Sequence, residues 1–147
     1  QLQAGATLQR SRYKEPEQWS DNPTLKAQKK MFRSPDVYGY VTSSFNPVKK
    51  LSLSLTGTYT GSMLVQHFAG YVPEDREEKT PDFVDMSLKL AYDFPLLTSG
   101  TLQINAGIQN IFDSYQSDFD KGGSRDAGYV YGPALPRSYF VGCKIIY

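Results

Sequence analysis

The chain closes on Arg137-Ser138-Tyr139-Phe140-Val141-Gly142-Cys143-Lys144-Ile145-Ile146-Tyr147, and this run constrains the fold more than any other. Tyr139, Val141, Cys143, Ile145 and Tyr147 share one face while Lys144 takes the other, the period of two that marks a strand. In water such an apolar row is normally buried in mid-sheet, because an uncovered one is an aggregation hazard. A transmembrane barrel expects the same pattern, with the apolar row against lipid and a terminal aromatic such as Tyr147 in the interfacial girdle.

The alternation recurs upstream. Leu2, Ala4, Ala6 and Leu8 mark a strand over about residues 1–13. In residues 36–45, Val37, Gly39 and Val41 oppose Tyr38, Tyr40 and Thr42, which leaves the orientation open. Leu51, Leu53, Leu55, Gly57 and Tyr59 then alternate with Ser52, Ser54, Thr56, Thr58 and Thr60, and this polar face of hydroxyls suits a solvated interior. Residues 83–94 place Val84, Met86, Leu88, Leu90, Tyr92 and Phe94 opposite Asp85, Lys89 and Asp93. A Lys facing lipid at mid-membrane costs about 2–4 kcal/mol, so in a barrel that charged face looks inward, toward cross-strand or plug-facing salt bridges. A fifth strand runs from Leu102, Ile104, Ala106 and Ile108 to near Phe112.

Between these strands, residues 14–35, 61–81 and 113–136 read as long loops, rich in Pro, Gly, Asn and charge. Asn46-Pro47-Val48-Lys49-Lys50 and Pro95 to Gly100 read as short turns. The run Glu74-Asp75-Arg76-Glu77-Glu78-Lys79 is expected to be solvated surface. Long, short, long, short, long connections put every long loop at one end of an antiparallel sheet. That asymmetry belongs to outer-membrane barrels.

The expected fold is therefore all-β: an antiparallel up-and-down transmembrane β-barrel sector of about six strands. Single-chain transmembrane barrels start at about eight strands, so residues 1–147 are expected to be the closing portion of a larger barrel. A start at Gln1, with no Met and no leader pattern, agrees with a fragment lacking plug and upstream strands. No run reaches the roughly 18 apolar residues of a spanning helix, which does not bear on strands.

Composition narrows the chemistry. Sixteen Lys and Arg against fifteen Asp and Glu give no electrostatic case for a nucleic-acid partner. A single cysteine, Cys143, excludes an internal disulfide framework and a cysteine-based zinc site, and its place beside Val141 and Ile145 makes it a small hydrophobe. A single histidine, His67, is scant material for a Ser-His-Asp hydrolase, so no catalytic residue is expected and the chain does not read as an enzyme. Eleven tyrosines suit membrane interfaces and ligand-contacting loops.

Gly107-Ile108-Gln109-Asn110-Ile111-Phe112-Asp113, the tyrosine-rich loop after it, and Tyr131-Gly132-Pro133-Ala134-Leu135-Pro136-Arg137-Ser138-Tyr139-Phe140 resemble the C-terminal β-barrel region of TonB-dependent outer-membrane receptors. Tyr59-Thr60-Gly61 adds to the resemblance. It implies a plugged barrel of roughly 22 strands in the cell outer membrane. Such a receptor imports a scarce nutrient, a ferric siderophore, haem or cobalamin rather than a glycan, with energy delivered by TonB. The implied partners are outer-membrane lipid, the remaining barrel strands and plug, TonB through the missing N-terminal region, and a surface lipoprotein. Tyr147 would serve as the membrane-assembly signal.

Ligand-binding candidates lie in the expected extracellular loops: Trp19, His67, Tyr71, Tyr115, Arg125, Tyr129 and Tyr131. Aromatic and charged groups there can grip an anionic chelate, although tyrosines over a rim and an Arg125 to Asp pair also serve simple loop packing. Asp118-Phe119-Asp120-Lys121-Gly122 has the start of a calcium loop without its later acidic ligands, so no metal is assigned and no resident cofactor is expected. The alternative fold is a soluble lipocalin-like barrel, in which the apolar faces would point inward around a small lipophile.

Overall fold

The computed structural model describes residues 1–96 and 100–147. Ten strands and no helix occur among them: β1 (Leu2–Leu8), β2 (Arg12–Glu17), β3 (Gln28–Lys30), β4 (Val37–Val48), β5 (Leu51–Thr60), β6 (Leu64–His67), β7 (Arg76–Lys79), β8 (Phe83–Pro95), β9 (Thr101–Gln109) and β10 (Ser138–Ile146). Six of them form one antiparallel meander in the order β1-β4-β5-β8-β9-β10. The strands expected from alternation are these six. The other four make two hairpins, β2-β3 and β6-β7, inside segments that read as plain loops.

Register carries the alternation across the whole sheet. Ala4 pairs with Val41, Val41 with Gly57, Gly57 with Met86; farther along, Leu53 pairs with Leu90, Leu90 with Ala106, and Ala106 with Val141. Directly paired residues lie on the same face, so the apolar rows fuse into one surface. The open orientation of β4 is thereby settled: Val37, Gly39 and Val41 join the apolar side. On the opposite face Thr42 meets Thr56, Thr56 meets Ser87, and Ser54 meets Lys89.

Several boundaries differ from the sequence reading. The first strand stops at Leu8 and a separate one starts at Arg12, where pairing switches from β4 to β3. β4 continues through Asn46 and Pro47 to Val48, with a register shift after Phe45, so the turn itself shrinks to Lys49-Lys50. A proline is tolerated at such an irregularity because the ladder bond is already interrupted there. β9 ends at Gln109 because Asn110 takes a positive φ of 49°. Of the turn expected from Pro95 to Gly100, Leu97, Thr98 and Ser99 lie outside the described residues. The charges of β8 form no ion pair among the described residues; Gln103 Nε2 donates to Asp93 Oδ1 at 2.8 Å, because register puts amides and hydroxyls opposite them.

The sheet has no core of its own. Val141 is 82% exposed and Leu2 72%, and among the described residues no strand pairs with the outer edges of β1 and β10. Burial is concentrated beyond one end of the sheet, where the three long connections meet. There Met63, Val65 and Tyr129 are buried together, with Tyr131 packed against them.

Candidate functional site

The cap is built from hairpins upward. Thr80 closes the β6-β7 hairpin by donating its N–H to the Met63 carbonyl, while Thr80 Oγ1 accepts the Met63 N–H. Alternation along Leu64–His67 then turns Val65 and His67 inward. The charge run expected to be solvated instead joins the first hairpin to the second. Glu77 accepts from Trp19 Nε1 and Gln28 Nε2, and Asp75 accepts from Ser20 Oγ at 2.6 Å and from the Ala69 N–H at 2.7 Å. Those bonds hold the Asp75 carboxyl below its usual range, with the Ser20 hydroxyl the largest cause.

The last connection, residues 110–137, is organised by two buried amides. Asn110 Nδ2 donates to the Ser114 and Leu135 carbonyls while its Oδ1 accepts the Ser114 N–H, pinning both ends of the loop. Gln116 is 1% exposed; its Nε2 donates to the Tyr129 carbonyl and its Oε1 accepts from the Tyr131 and Gly132 N–H groups. Gly132 lies flat against Phe83, where an added Cβ would come within 2.5 Å of the ring. Residues of the motifs at Gln109-Asn110 and Tyr131-Gly132-Pro133 thus have structural work within this loop.

At the centre of the cap, His67 Nε2 lies 3.1 and 3.0 Å from the two oxygens of Asp120, and each side chain is only 2% exposed. Asp120 Oδ2 also accepts the Asp126 N–H. Burial pushes the Asp120 carboxyl up, but the His67 and Asp126 hydrogen bonds, with the charge of Arg76, outweigh it and hold the group below its usual range. The ionised carboxylate therefore accepts a hydrogen bond from the Nε2–H of His67. Nδ1 is buried and has no partner among the described residues.

The His67 ring stacks on Tyr129, centroids 3.6 Å apart and planes within 8°. Tyr129 and Tyr131 both donate their hydroxyls to Asp118, at 3.0 Å and 2.7 Å to its nearest oxygens. Burial first, then the Asp118 hydrogen bond, raises both phenols, Tyr131 to about 12. A cavity of about 260 Å³ opens beside this cluster, lined by Tyr71, Arg76, Phe119 and Lys121 together with His67, Tyr129 and the two aspartates.

Of the expected ligand-contacting residues, His67, Tyr71 and Tyr129 meet at this cavity. Tyr131 supports it through Asp118. Trp19 sits elsewhere, edge-on to Phe32 and Phe68 with its N–H on Glu77, which makes it an anchor between hairpins. Tyr115 is half-buried away from the cavity, and Arg125 is exposed with no ion pair among the described residues. Asp126 is occupied instead by the Phe68 and Gly128 N–H groups. The carboxylates of the calcium-like stretch are taken up by Tyr129, Tyr131, His67 and Asp126. Tyr147 is fully exposed, just past the end of β10.

Arg76 and Lys121 line the cavity without having been singled out, and Gln116 organises its wall. Alternation at Val65 and His67 was a signal for the hairpin, but four-residue strands hide within a charged stretch. No family model matches the chain, and no curated protein and no solved structure matches it either.

Proposed function

We propose that the chain is the C-terminal sector of a transmembrane β-barrel in a bacterial outer membrane, part of a TonB-energised receptor that imports a scarce nutrient. The observation that carries the membrane half of this reading is the continuous, uncovered apolar face. Its central rows are aliphatic: Leu53, Leu55, Leu88, Leu90, Ile104, Ala106 and Val141. Aromatic residues flank them, Tyr59 and Tyr139 toward the cap, Phe45, Tyr92 and Phe94 toward the other end, with Tyr92 and Phe94 in contact at 4.7 Å. Val84 to Phe94 spans about 33 Å along β8. A strand tilt of about 40° converts that to roughly 25 Å, the height of the apolar band of an outer-membrane barrel.

The free edges of β1 and β10 are the second support. Unpaired amides and carbonyls in hydrocarbon each cost several kcal/mol, so a sheet with this face needs further strands to close it. The transport half rests on the resemblance from Gly107 to Tyr147 to TonB-dependent receptors. In this reading the cap faces outward as part of the ligand vestibule, and the hydroxyl face lines a wet interior that holds a plug.

Cys143 is the natural reporter, being free, exposed and on the apolar face opposite Ile104. In intact membranes carrying the full-length protein, a charged maleimide should leave Cys143 unmodified, whereas Ser54→Cys placed in a Cys143→Ser background should react from the aqueous side. Equal rates at both positions would remove the membrane assignment.

A further inference from the structure

We infer that the outer, apolar face carries a seat for one phosphorylated lipid of net negative charge, with an acyl chain in a groove across β1, β4 and β5 and the headgroup against Arg10 and Arg12. The inference rests on the proposed membrane reading and goes beyond it, because it separates one lipid from its neighbours.

Small residues make the groove. Ala6 pairs with Gly39, and one row farther from the cap Gly57 lies between Val41 and Met86, where an added Cβ would meet Val41 Cγ1 at 3.1 Å and the Met86 side chain at 3.4 Å. Tyr59 and Val84 continue the row of Ala6 and Gly39 and close the hollow on the β8 side. About 300 Å³ is left open on the apolar face. Gly57 shares its row with Ala4, six residues short of Arg10. That is roughly 20 Å along the strand, or about 15 Å of depth at a tilt of about 40°, close to half of a hydrocarbon core about 30 Å thick. The groove therefore has the reach of one leaflet. Lipid tails are as apolar as these side chains, so the groove offers packing alone. Any choice among lipids has to come from the headgroup end.

That end is cationic. The β1 row of Ala4, Ala6 and Leu8 leads on to Arg10 and Arg12, both exposed, just past the last β1-β4 pair, Leu8 with Val37. Arg12 stands directly opposite Lys30. Like charges so placed weaken a sheet, so the pair does not serve the stability of the hairpin. One carboxylate answers them: Lys30 Nζ lies 2.8 Å from Asp36 Oδ2. This hydrogen bond first, then the charges of Lys30, Arg12 and Arg10, holds the Asp36 carboxyl below its usual range. Farther along the hairpin Lys14 and Lys29 offset Glu15 and Glu17. Arg10, Arg12 and Lys30 against Asp36 thus leave two positive charges in excess, and neither arginine forms an ion pair among the described residues. A negatively charged headgroup complements that excess, and a guanidinium binds phosphate oxygens through its planar fork. A second copy of the chain packed side by side in the membrane would bring the same cations to the same height, where they repel.

The test is native mass spectrometry of the full-length protein in detergent, titrated with dimyristoyl phosphatidylglycerol or with dimyristoyl phosphatidylcholine, which has the same chains and no net charge. One phosphatidylglycerol should be retained about tenfold more tightly, within what two cations near a lipid surface supply. The Arg10→Gln, Arg12→Gln double variant should bring the two lipids together. Ala6→Phe, which fills the groove, should weaken both and leave their ratio unchanged. Heat-modifiable migration on a denaturing gel checks that each variant is still a folded barrel, and if Ala6→Phe is not, the arginine comparison decides. Equal retention of the two lipids, a preference that survives in a folded arginine double variant, a folded Ala6→Phe variant that retains both lipids as before, or a dimer mass in place of the lipid adduct would each overturn the inference. Cys143 labelling reads the membrane assignment separately, so failure of the lipid seat and failure of that assignment give different results.

Discussion

The sheet and the cap of this molecule solve opposite problems. Between its two free edges the sheet pairs its backbone strand to strand and leaves both faces open, with apolar rows such as Leu53-Leu90-Ala106-Val141 uncovered. The cap has little regular structure yet buries Val65, His67, Gln116 and Tyr129 and satisfies most of their polar atoms within itself. In water an extended apolar face is a liability, while a cap of hydrogen-bonded loops is an ordinary surface. The contrast is what the proposed membrane sector calls for, with the two regions matched to different solvents.

The largest effect expected from breaking that contrast is at the apolar centre. Leu90→Arg should cost about 2–4 kcal/mol in a lipid-refolded urea titration if the row meets hydrocarbon, and Thr56→Arg on the other face should cost far less. Equal costs would mean that the faces are not in different solvents. Next in size is Gln116→Ala. It orphans the Tyr131 and Gly132 N–H groups, and an unsatisfied buried donor costs about 1–3 kcal/mol. Hydrogen exchange should rise across residues 113–137 and stay unchanged in β5 and β8.

Smaller again is the loss of the Trp19 contact to Glu77: Trp19→Phe should cost about 1 kcal/mol and loosen the β2-β3 hairpin alone. Protease nicking between residues 18 and 28 would read it.

Acid should also separate the regions. The Asp120 carboxyl is depressed in the folded cap, so its contribution is fully present above the ordinary carboxylate value of about 3.9 and is lost as pH falls through the lower folded value. Exchange protection in the cap should weaken below about pH 4, and Asp120→Asn should flatten that dependence. Protection that is indifferent to this substitution would show that the His67-Asp120 contact does not hold the cap.

Gly132 illustrates how far single residues were legible. Its place in the Tyr131-Gly132-Pro133 run marked a loop, yet only the structure shows the Phe83 ring that forbids a side chain there. Trp19 read equally well as anchor or ligand platform until Phe32, Phe68 and Glu77 were seen around it. Arg76 sat inside a charge run whose ordinary fate is solvation, and nothing local marked it as facing a cavity formed with residues more than forty positions away.

The sequence alone determined the six long strands and which residues share each strand's face, because a period of two is a local property of extended backbone that every strand repeats. Tertiary structure decided the rest: the register that fused separate rows into one surface, the orientation of β4, and the meeting of His67 with Asp120 and Tyr129. Those contacts join segments about fifty and sixty residues apart through short side-chain bonds. They depend on where three loops converge, and no periodicity along the chain encodes that.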